Sequence, residues 1–564
     1  MPTPARPTTL IALALVTLLA VGLAASTWHV FDQTWDEPEH LAAGLVLLDR
    51  GHYVYDIQHP PLARLALAVG PYLAGARSQG KPPPDGKPEG LAILYGSGHY
   101  TLYLTLARAG TLPFLALLVV MTYVWGRTVL GRGGSLLAAL LTATTPVVLG
   151  HGALATLDVA AASTCLLALY ATLRWLENGR WRDALVLGLT LGLALGTKLS
   201  ALPFCGVGGL VLLALRLWER RGRADCSEPL PRAVWIGGGV LVTALIATIL
   251  TLGYGGRFIY LTDGHRFSQP LWFLFGSKGA LHDAAYALFA QFRVPEALQL
   301  YLGGIEALVV HNETGHLSYL LGEARLTGWW YFYIVALLAK TPLPLLVFGL
   351  AGFAGLTRAA LDQRLARLLA LPALFVALMA FSSVFSHINI GVRHVLVVYP
   401  MLAVGAAFAF LRIGRWLAAL PGRWGRVLPA AGLALVVVAQ AAILVRAWPD
   451  NLAYFNVLVR DPESVLVDSD LDWGQDLKRL IARLHELKVG SVALAYSGSA
   501  DLKREGLPPY VLLKPDEHAT GWVAVSALAR AEAPQHFDWL ADFPRRERVG
   551  KTIDLYFIPA EETP

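Results

Sequence analysis

Uncharged apolar runs, each close to the length of a membrane crossing, set the pattern of this chain. Residues 8–27 carry no charge, and about 20 apolar residues cross a hydrocarbon core of roughly 30 Å as a helix. Further runs lie at 112–125, 135–149, 159–173, 184–196, 199–217 and 233–252, with later ones beginning near Pro342, Leu368, Val395 and Val427. Together they predict about eleven transmembrane helices, the shorter runs borrowing flanking residues. Beyond Arg446 the pattern changes to ordinary charge density, with alternation at 464–467 and 491–496 around a helix-like 476–487. That mixture predicts a small soluble α/β domain. The chain therefore divides into a membrane part at 1–445, with long loops at 28–99 and 255–328, and an α/β domain at 446–564.

Composition supports this division. With 55% hydrophobic and 15% charged residues and a mean hydropathy of +0.52, the chain is too apolar for a soluble multidomain protein, whose charged share is nearer a quarter. A net charge of +6 suggests nucleic acid at first sight. The basic residues instead cluster between apolar runs, as membrane topology requires, so no nucleic-acid partner is expected. Arg6, Arg127, Arg174, Arg216, Arg223, Arg358, Arg412 and Arg423 fall on one side if every run crosses once. By the positive-inside rule that side is cytoplasmic, which places the amino terminus inside and the 28–99 loop, the 255–328 loop and the tail outside. Ala24-Ala25-Ser26 resembles a cleavage site, but the runs that follow need an orientation-setting first helix, so 8–27 is read as an uncleaved anchor. Cys165 and Cys205 fall in apolar runs and Cys226 in a basic loop, a distribution that suggests neither a disulfide framework nor a cysteine metal site.

Candidate chemistry begins directly behind the first run, in WDEPEHLAAGLVLLDRGHYVYDIQHPPLARL at 35–65. Asp36 and Glu37 stand just past a membrane exit, where a carboxylate can face lipid-borne and aqueous groups together. His59-Pro60-Pro61-Leu62-Ala63-Arg64 follows, and its two prolines predict a stiff loop presenting His59 and Arg64. An acid within reach of a cation is the pairing expected when one group removes a proton and the other steadies a departing phosphate. The alternative is that the acids mark the membrane border and pair with Arg50 or Arg64. Asp158, in HGALATLD, reads either as a helix cap or as a second carboxylate facing the same cavity, orienting an acceptor or holding a divalent ion.

Charges at the ends of apolar runs are functional-site hypotheses by default. Lys340 and Arg393, with His394 beside it, suit an anionic lipid headgroup, and anchoring is the alternative; Lys198 can be satisfied by snorkelling. His311, Glu313 and His316 have metal-binding side chains, although their spacing is not that of a zinc helix. A divalent metal ion is thus the one cofactor left open. Asn312-Glu313-Thr314 is also a glycosylation sequon, and Trp329-Trp330-Tyr331 an interfacial aromatic belt. VDSDLDWGQD in the tail fails as a calcium loop, because Gly474 falls one place late and Arg479 replaces the terminal glutamate. It is read as a turn and helix start, with Asp470 or Asp472 as a cap.

As a set, these motifs resemble the polytopic glycosyltransferases that use polyprenyl-phosphate sugars, the GT-C fold group that includes protein O-mannosyltransferases and aminoarabinose transferases of lipid A. Asp36-Glu37 looks like the family's Asp-Glu motif, HPPLAR is similar to the mannosyltransferases' His-Pro-Pro-Leu-Gly-Lys, Asp158 is placed like a second outer-face acid, and RHVLVVYP from Arg393 resembles an arginine-led late span. HNETGHLSYLLGE, WWYFYIVALLAKTPLP and DSDLDWGQDL look like a bacterial branch of carrier-dependent transferases. The resemblance implies a hexosyl- or pentosyltransferase of the inner (plasma) membrane, acting on the extracytoplasmic side. It implies a polyprenyl-phosphate donor, undecaprenyl phosphate in bacteria, and a lipid, glycan or protein acceptor. Asp36 would be the base, with Glu37 and Asp158 beside it, and Arg64, Lys340, Arg393, His59 and His394 would bind the donor phosphate. A transporter or flippase of lipid-linked sugars is the alternative, as is a non-catalytic scaffold. Transporters commonly show inverted repeats and helices broken at midplane, whereas the ionisable residues here crowd the outer mouth.

Overall fold

In the computed structural model, residues 7–221, 232–260, 279–514 and 517–560 are described. Arg6, Arg223, Cys226 and the middle of the 255–328 loop lie outside them. Each predicted apolar run is helical. Among the described residues nine helices are long and apolar enough to cross a membrane, and a bent pair, Gly131–Ala143 with Pro146–Gly152, makes ten. The bend of 62° has a local cause: Pro146 lacks an N–H, and Thr145 before it is forced to extended backbone with ψ of 120°. Trp181–Thr197, at 17 residues, is the remaining predicted run.

Small residues set how closely these helices approach. Leu343–Gln363 and Val398–Ala418 cross at Gly352 and Gly405, where a Cβ on Gly352 would overlap the Gly405 carbonyl. In lipid there is no hydrophobic drive between helices, so such close backbone approach supplies dispersion contact directly. Elsewhere the apolar surface stays exposed, as on Trp424–Ala447, where Leu433, Leu435 and Val438 face outward.

The 28–99 loop is itself helical. Glu37–Arg50, Pro61–Leu73 and Lys87–Gly96 stack on one another around a core of Leu41, Leu45, Leu67 and Leu94. HPPLAR is therefore not a presented loop: Pro61 opens a helix, where its missing N–H costs nothing, and Arg64 is carried inward.

The tail forms a five-stranded sheet in the order Tyr510–Leu512, Val492–Ala495, Gly521–Ser526, Ile553–Ile558, Glu547–Val549. Val492–Ala495 pairs parallel with both neighbours, and the remaining pairs are antiparallel. Leu477–Glu486 buries Leu477, Leu480 and Leu484 against it, one helical stripe. The strand expected at 464–467 is absent. Val465 and Leu466 instead donate to the Pro462 carbonyl in a turn, and Leu466 is buried in the core of the membrane part. The architecture is thus a polytopic membrane part, helical among the described residues but for two short two-stranded sheets in the 255–328 loop, with a small C-terminal α/β unit that docks back onto it.

One end of the helix bundle gathers the candidate chemistry. There Pro7–Ala25 ends, Asp158–Asn178 begins, Trp181–Thr197 ends at Lys198, Ala366–Phe385 ends, and Val398–Ala418 begins behind the 3-10 turn Val392–Val395. Arg127, Arg174, Arg216, Arg358, Arg412 and Arg423 occupy the other ends of these helices and their neighbours.

Candidate active site

A cavity of about 860 Å³ opens at that end, between the membrane helices, the Glu37–Arg50 helix and the tail. Phe204, Phe381 and Phe385 from span ends, with Leu308 from the outer-loop helix Glu296–Thr314, give it an apolar wall. Asp36, Asp158, Lys198 and Arg393 line its polar part, with Asp468 and Trp473 contributed by the tail.

Asp36 precedes the Glu37–Arg50 helix, and Pro38 fixes the first turn behind it. The Asp36 carboxylate accepts from Arg393 Nη1 at 2.8 Å, and Asp158 Oδ2 lies 3.8 Å from the same nitrogen. Lys198 Nζ donates to Asp158 Oδ1 at 2.6 Å. These four side chains form a chain of alternating charge in which each buried ion has a partner, the condition under which burial is tolerated. Burial alone would raise the Asp36 pKa, but the Arg393 charge, with a smaller contribution from His40, carries it below the usual carboxylate value. Asp36 is therefore ionised at neutral pH, as a group that takes a proton must be. Asp158 does not cap its helix, since Leu157 holds that position. Lys198, which snorkelling alone could have accounted for, is ion-paired.

Glu37 is turned away from the cavity. Arg108 grips it with Nε and Nη2, each at 2.8 Å, and the backbone N–H groups of Thr34 and Ala155 donate to its two oxygens, also at 2.8 Å. With its acceptor sites taken up in this way, it ties the Asp36 loop to the bundle.

Arg64 and Lys340, expected to meet the phosphate, are likewise not among the residues lining the cavity. The Arg64 guanidinium is fully buried, donating to Tyr53 Oη at 2.6 Å and the Asp56 carbonyl at 2.7 Å, and pairing with the Asp56 carboxylate. Lys340 Nζ donates to the carbonyls of Leu452, at 2.7 Å, and Asp470, and lies 4.3 Å from the Phe455 ring centroid. The predicted helix break at Pro342 is present, with one helix ending at Lys340 and the next starting at Leu343. Lys340 is nonetheless 1% exposed, because the tail covers it. Burial pushes its ammonium down to about 8.

His59 and His394 both line the cavity. Burial pushes His59 down to about 4 and His394 well below its ordinary value, so both are neutral at pH 7. His394 Nδ1 lies 3.2 Å from Tyr333 Oη, while His59 Nδ1 has no partner among the described residues. Neutral imidazoles offer one donor and one acceptor but no charge for a phosphate.

His311 Nε2 and His316 Nδ1 approach to 3.1 Å. Glu313 shares the cavity wall, yet among the described residues no three His, Cys, Asp or Glu side chains converge as a metal ion requires. The expected metal set is not formed. Asn312 of the sequon is engaged, accepting from His387 N at 2.9 Å and donating to the Phe385 carbonyl at 3.0 Å.

Several cavity residues were missed in the sequence. Glu39 and His40 stand three and four positions after Asp36, one helical face, so that spacing carried the signal. Burial, with Asp56 nearby, raises Glu39 to about 7. Asp468 also rises to about 7 through burial, against the opposing charge of Arg393. In the tail, Asp470 accepts from Val392 N at 3.1 Å, and Asp472 accepts from Gly474 N at 3.1 Å and Leu528 N at 2.9 Å. Neither is the helix cap expected there.

The family model for dolichyl-phosphate-mannose-protein mannosyltransferases matches residues 107–251. No curated protein matches the chain. Among solved structures, the oligosaccharyltransferase of Archaeoglobus fulgidus tethered to an acceptor peptide aligns at 16% identity with a TM-score of 0.49, covering 78% of this chain and 55% of that one. ArnT from Cupriavidus metallidurans bound to undecaprenyl phosphate aligns at 13% identity with a TM-score of 0.44, covering 98% of each chain. The Pmt1–Pmt2 protein O-mannosyltransferase of S. cerevisiae bound to its sugar donor aligns at 19% identity with a TM-score of 0.35, covering 45% of this chain and 34% of that one. This chain thus spans 55% of the first structure's length. The family match bears out the resemblance read from the motifs: over residues 107–251 the chain is similar to the dolichyl-phosphate-mannose-protein mannosyltransferases.

Proposed function

We propose that this protein is an integral membrane glycosyltransferase that moves a sugar from a polyprenyl-phosphate donor to an acceptor nucleophile, a hydroxyl of a lipid, glycan or protein. The observation that carries the reading is the Asp36–Arg393 pair, 2.8 Å apart, in a cavity with one apolar wall. A donor arriving from the membrane lays its prenyl chain along that wall and its phosphate against Arg393, with Lys198 as the second cation on the cavity surface. Phosphate takes up the Arg393 guanidinium, and Asp36 is released to accept the acceptor's proton. The acceptor oxygen then bonds to the sugar's anomeric carbon as the carbon–phosphate oxygen bond breaks. The bonding electrons leave with the phosphate, which Arg393 and Lys198 stabilise. Asp158 keeps both cations in place between turnovers.

The arginine-rich helix ends lie opposite the cavity, which supports a cytoplasmic position for them and an extracytoplasmic one for the site and tail in the inner (plasma) membrane. Transfer of label from undecaprenyl-phosphate-linked sugars to acceptor by the purified chain tests the proposal. General-base catalysis contributes about 100- to 10,000-fold, so Asp36→Asn should lose that factor while remaining folded.

A further inference from the structure

Asp36 and Arg393 are 357 positions apart in the chain, and the tail segment 468–475 bonds to the backbone beside both. On the Arg393 side, Asp470 accepts from Val392 N at 3.1 Å, and the Ser469 hydroxyl donates to the Ile390 carbonyl. Gly391 sits between them at φ 147°, with Ser469 Oγ where a Cβ would point. On the Asp36 side, Trp35 N donates to the Trp473 carbonyl at 3.1 Å and Asp32 N to the Gln475 carbonyl at 3.0 Å. Gln475 braces the turn between, accepting from Trp473 N and donating to the Leu471 carbonyl, each at 2.8 Å.

At the centre of this clamp the Trp473 ring lies against Arg393, its centroid 4.2 Å from the guanidinium carbon, and is 3% exposed. Arg393 Nε is buried with no hydrogen-bond partner among the described residues. The guanidinium is therefore oriented by Asp36 at one nitrogen, by Asp158 more distantly, and by the face of Trp473. A desolvated guanidinium gains from the negative face of an indole, and the contact fixes its plane.

We propose that Trp473 is a positioning residue for transfer: it holds the Arg393 guanidinium in the plane that meets Asp36 and the donor phosphate, which makes the tail part of the active site. The inference rests on the reading of Arg393 as the phosphate cation. The Trp473 ring also packs against His151, Leu154 and Leu452, but its effect on the donor passes through Arg393, so its contribution to donor binding should vanish when Arg393 is removed.

A double-mutant cycle on the full-length protein in nanodiscs, with undecaprenyl phosphate as the probe, tests this. Trp473→Met fills much of the same space without a π face, and Trp473→Phe keeps one. Trp473→Met should weaken binding about tenfold, Trp473→Phe about threefold, and neither should weaken the residual binding of Arg393→Ala further. A loss of equal size in the Arg393→Ala background would make Trp473 merely structural, and Trp473→Met binding like the wild type would overturn the proposal outright. Gel filtration checks folding; should the Met variant not fold, the threefold loss of Trp473→Phe and its disappearance without Arg393 decide the matter. Failure of the wild type to bind undecaprenyl phosphate would sink the donor reading and this inference with it. Wild-type binding without coupling sinks the inference alone.

Discussion

Asp36 and Glu37 are adjacent in the chain, and the fold gives them opposite surroundings. Glu37 is held by Arg108 and two backbone N–H groups, whereas Asp36 meets a single cation at a cavity wall. Spacing alone showed a pair of acids, which only the family resemblance divided in favour of Asp36, because the Arg108 that holds Glu37 approaches from 71 positions away. Arg393 holds the Asp36 carboxyl low, so transfer should persist into mild acid and fall only as Asp36 protonates. Removing that charge lets burial dominate, and the acid limb of the pH–rate profile of Arg393→Ala should move to higher pH. A limb that stays in place would show that Asp36 is not the titrating base. Glu39 gives a stability test with its own sign. Its folded-state pKa of about 7 lies above the ordinary 4.5. The stability linked to it is fully present below pH 4.5 and lost as pH rises through 7. Glu39→Gln should therefore raise the melting temperature at pH 8, by up to about 3 kcal/mol of stability, and change little at pH 4. An equal shift at both values would contradict the assignment.

Among the elements, those written in local pattern were legible. The apolar runs all became helices, Pro146 and Pro342 broke the backbone where their missing N–H groups required it, and Leu477, Leu480 and Leu484 marked the stripe of the tail helix. The elements that failed were decided by distant contacts. Residues 464–467 alternate like a strand, yet they turn and bury Leu466 in the membrane part. Lys340 sits where a phosphate ligand was expected and instead clasps the tail through two backbone carbonyls, an arrangement no spacing rule encodes. Lys340→Ala should accordingly loosen the docking of the tail. Limited proteolysis near 452–470 should quicken several-fold, and the melting temperature should drop, by about 2 kcal/mol of stability for a lost pair of charged hydrogen bonds. Unchanged proteolysis with a selective loss of undecaprenyl phosphate binding would restore the phosphate role.

At the scale of the whole molecule, the site is a meeting of segments from both ends of the chain, as the hydrogen bond between Gln33 and Ser499 shows across 466 positions. Asp36, Asp158 and Arg393 could be nominated from sequence because a charge at the end of an apolar run is costly unless used. Asp468 and Trp473 could not, since nothing in a soluble-looking tail says that it returns to a membrane cavity. Arg64 escapes a sequence reading for a related reason: the Asp56 carboxylate neutralises it and the Tyr53 hydroxyl accepts from it, and an HPPLAR motif does not show which way its cation faces. Sugar transfer from a lipid phosphate would rest on the ionised Asp36. Its most direct measurement follows radiolabelled undecaprenyl-phosphate-linked sugar in vesicles holding the wild type or Asp36→Asn, with acceptor outside. Wild type should label the acceptor and Asp36→Asn at least about 100-fold less, with undecaprenyl phosphate binding retained. Label that crosses the vesicle without reaching acceptor, or Asp36→Asn transferring at the wild-type rate, would contradict that role for Asp36.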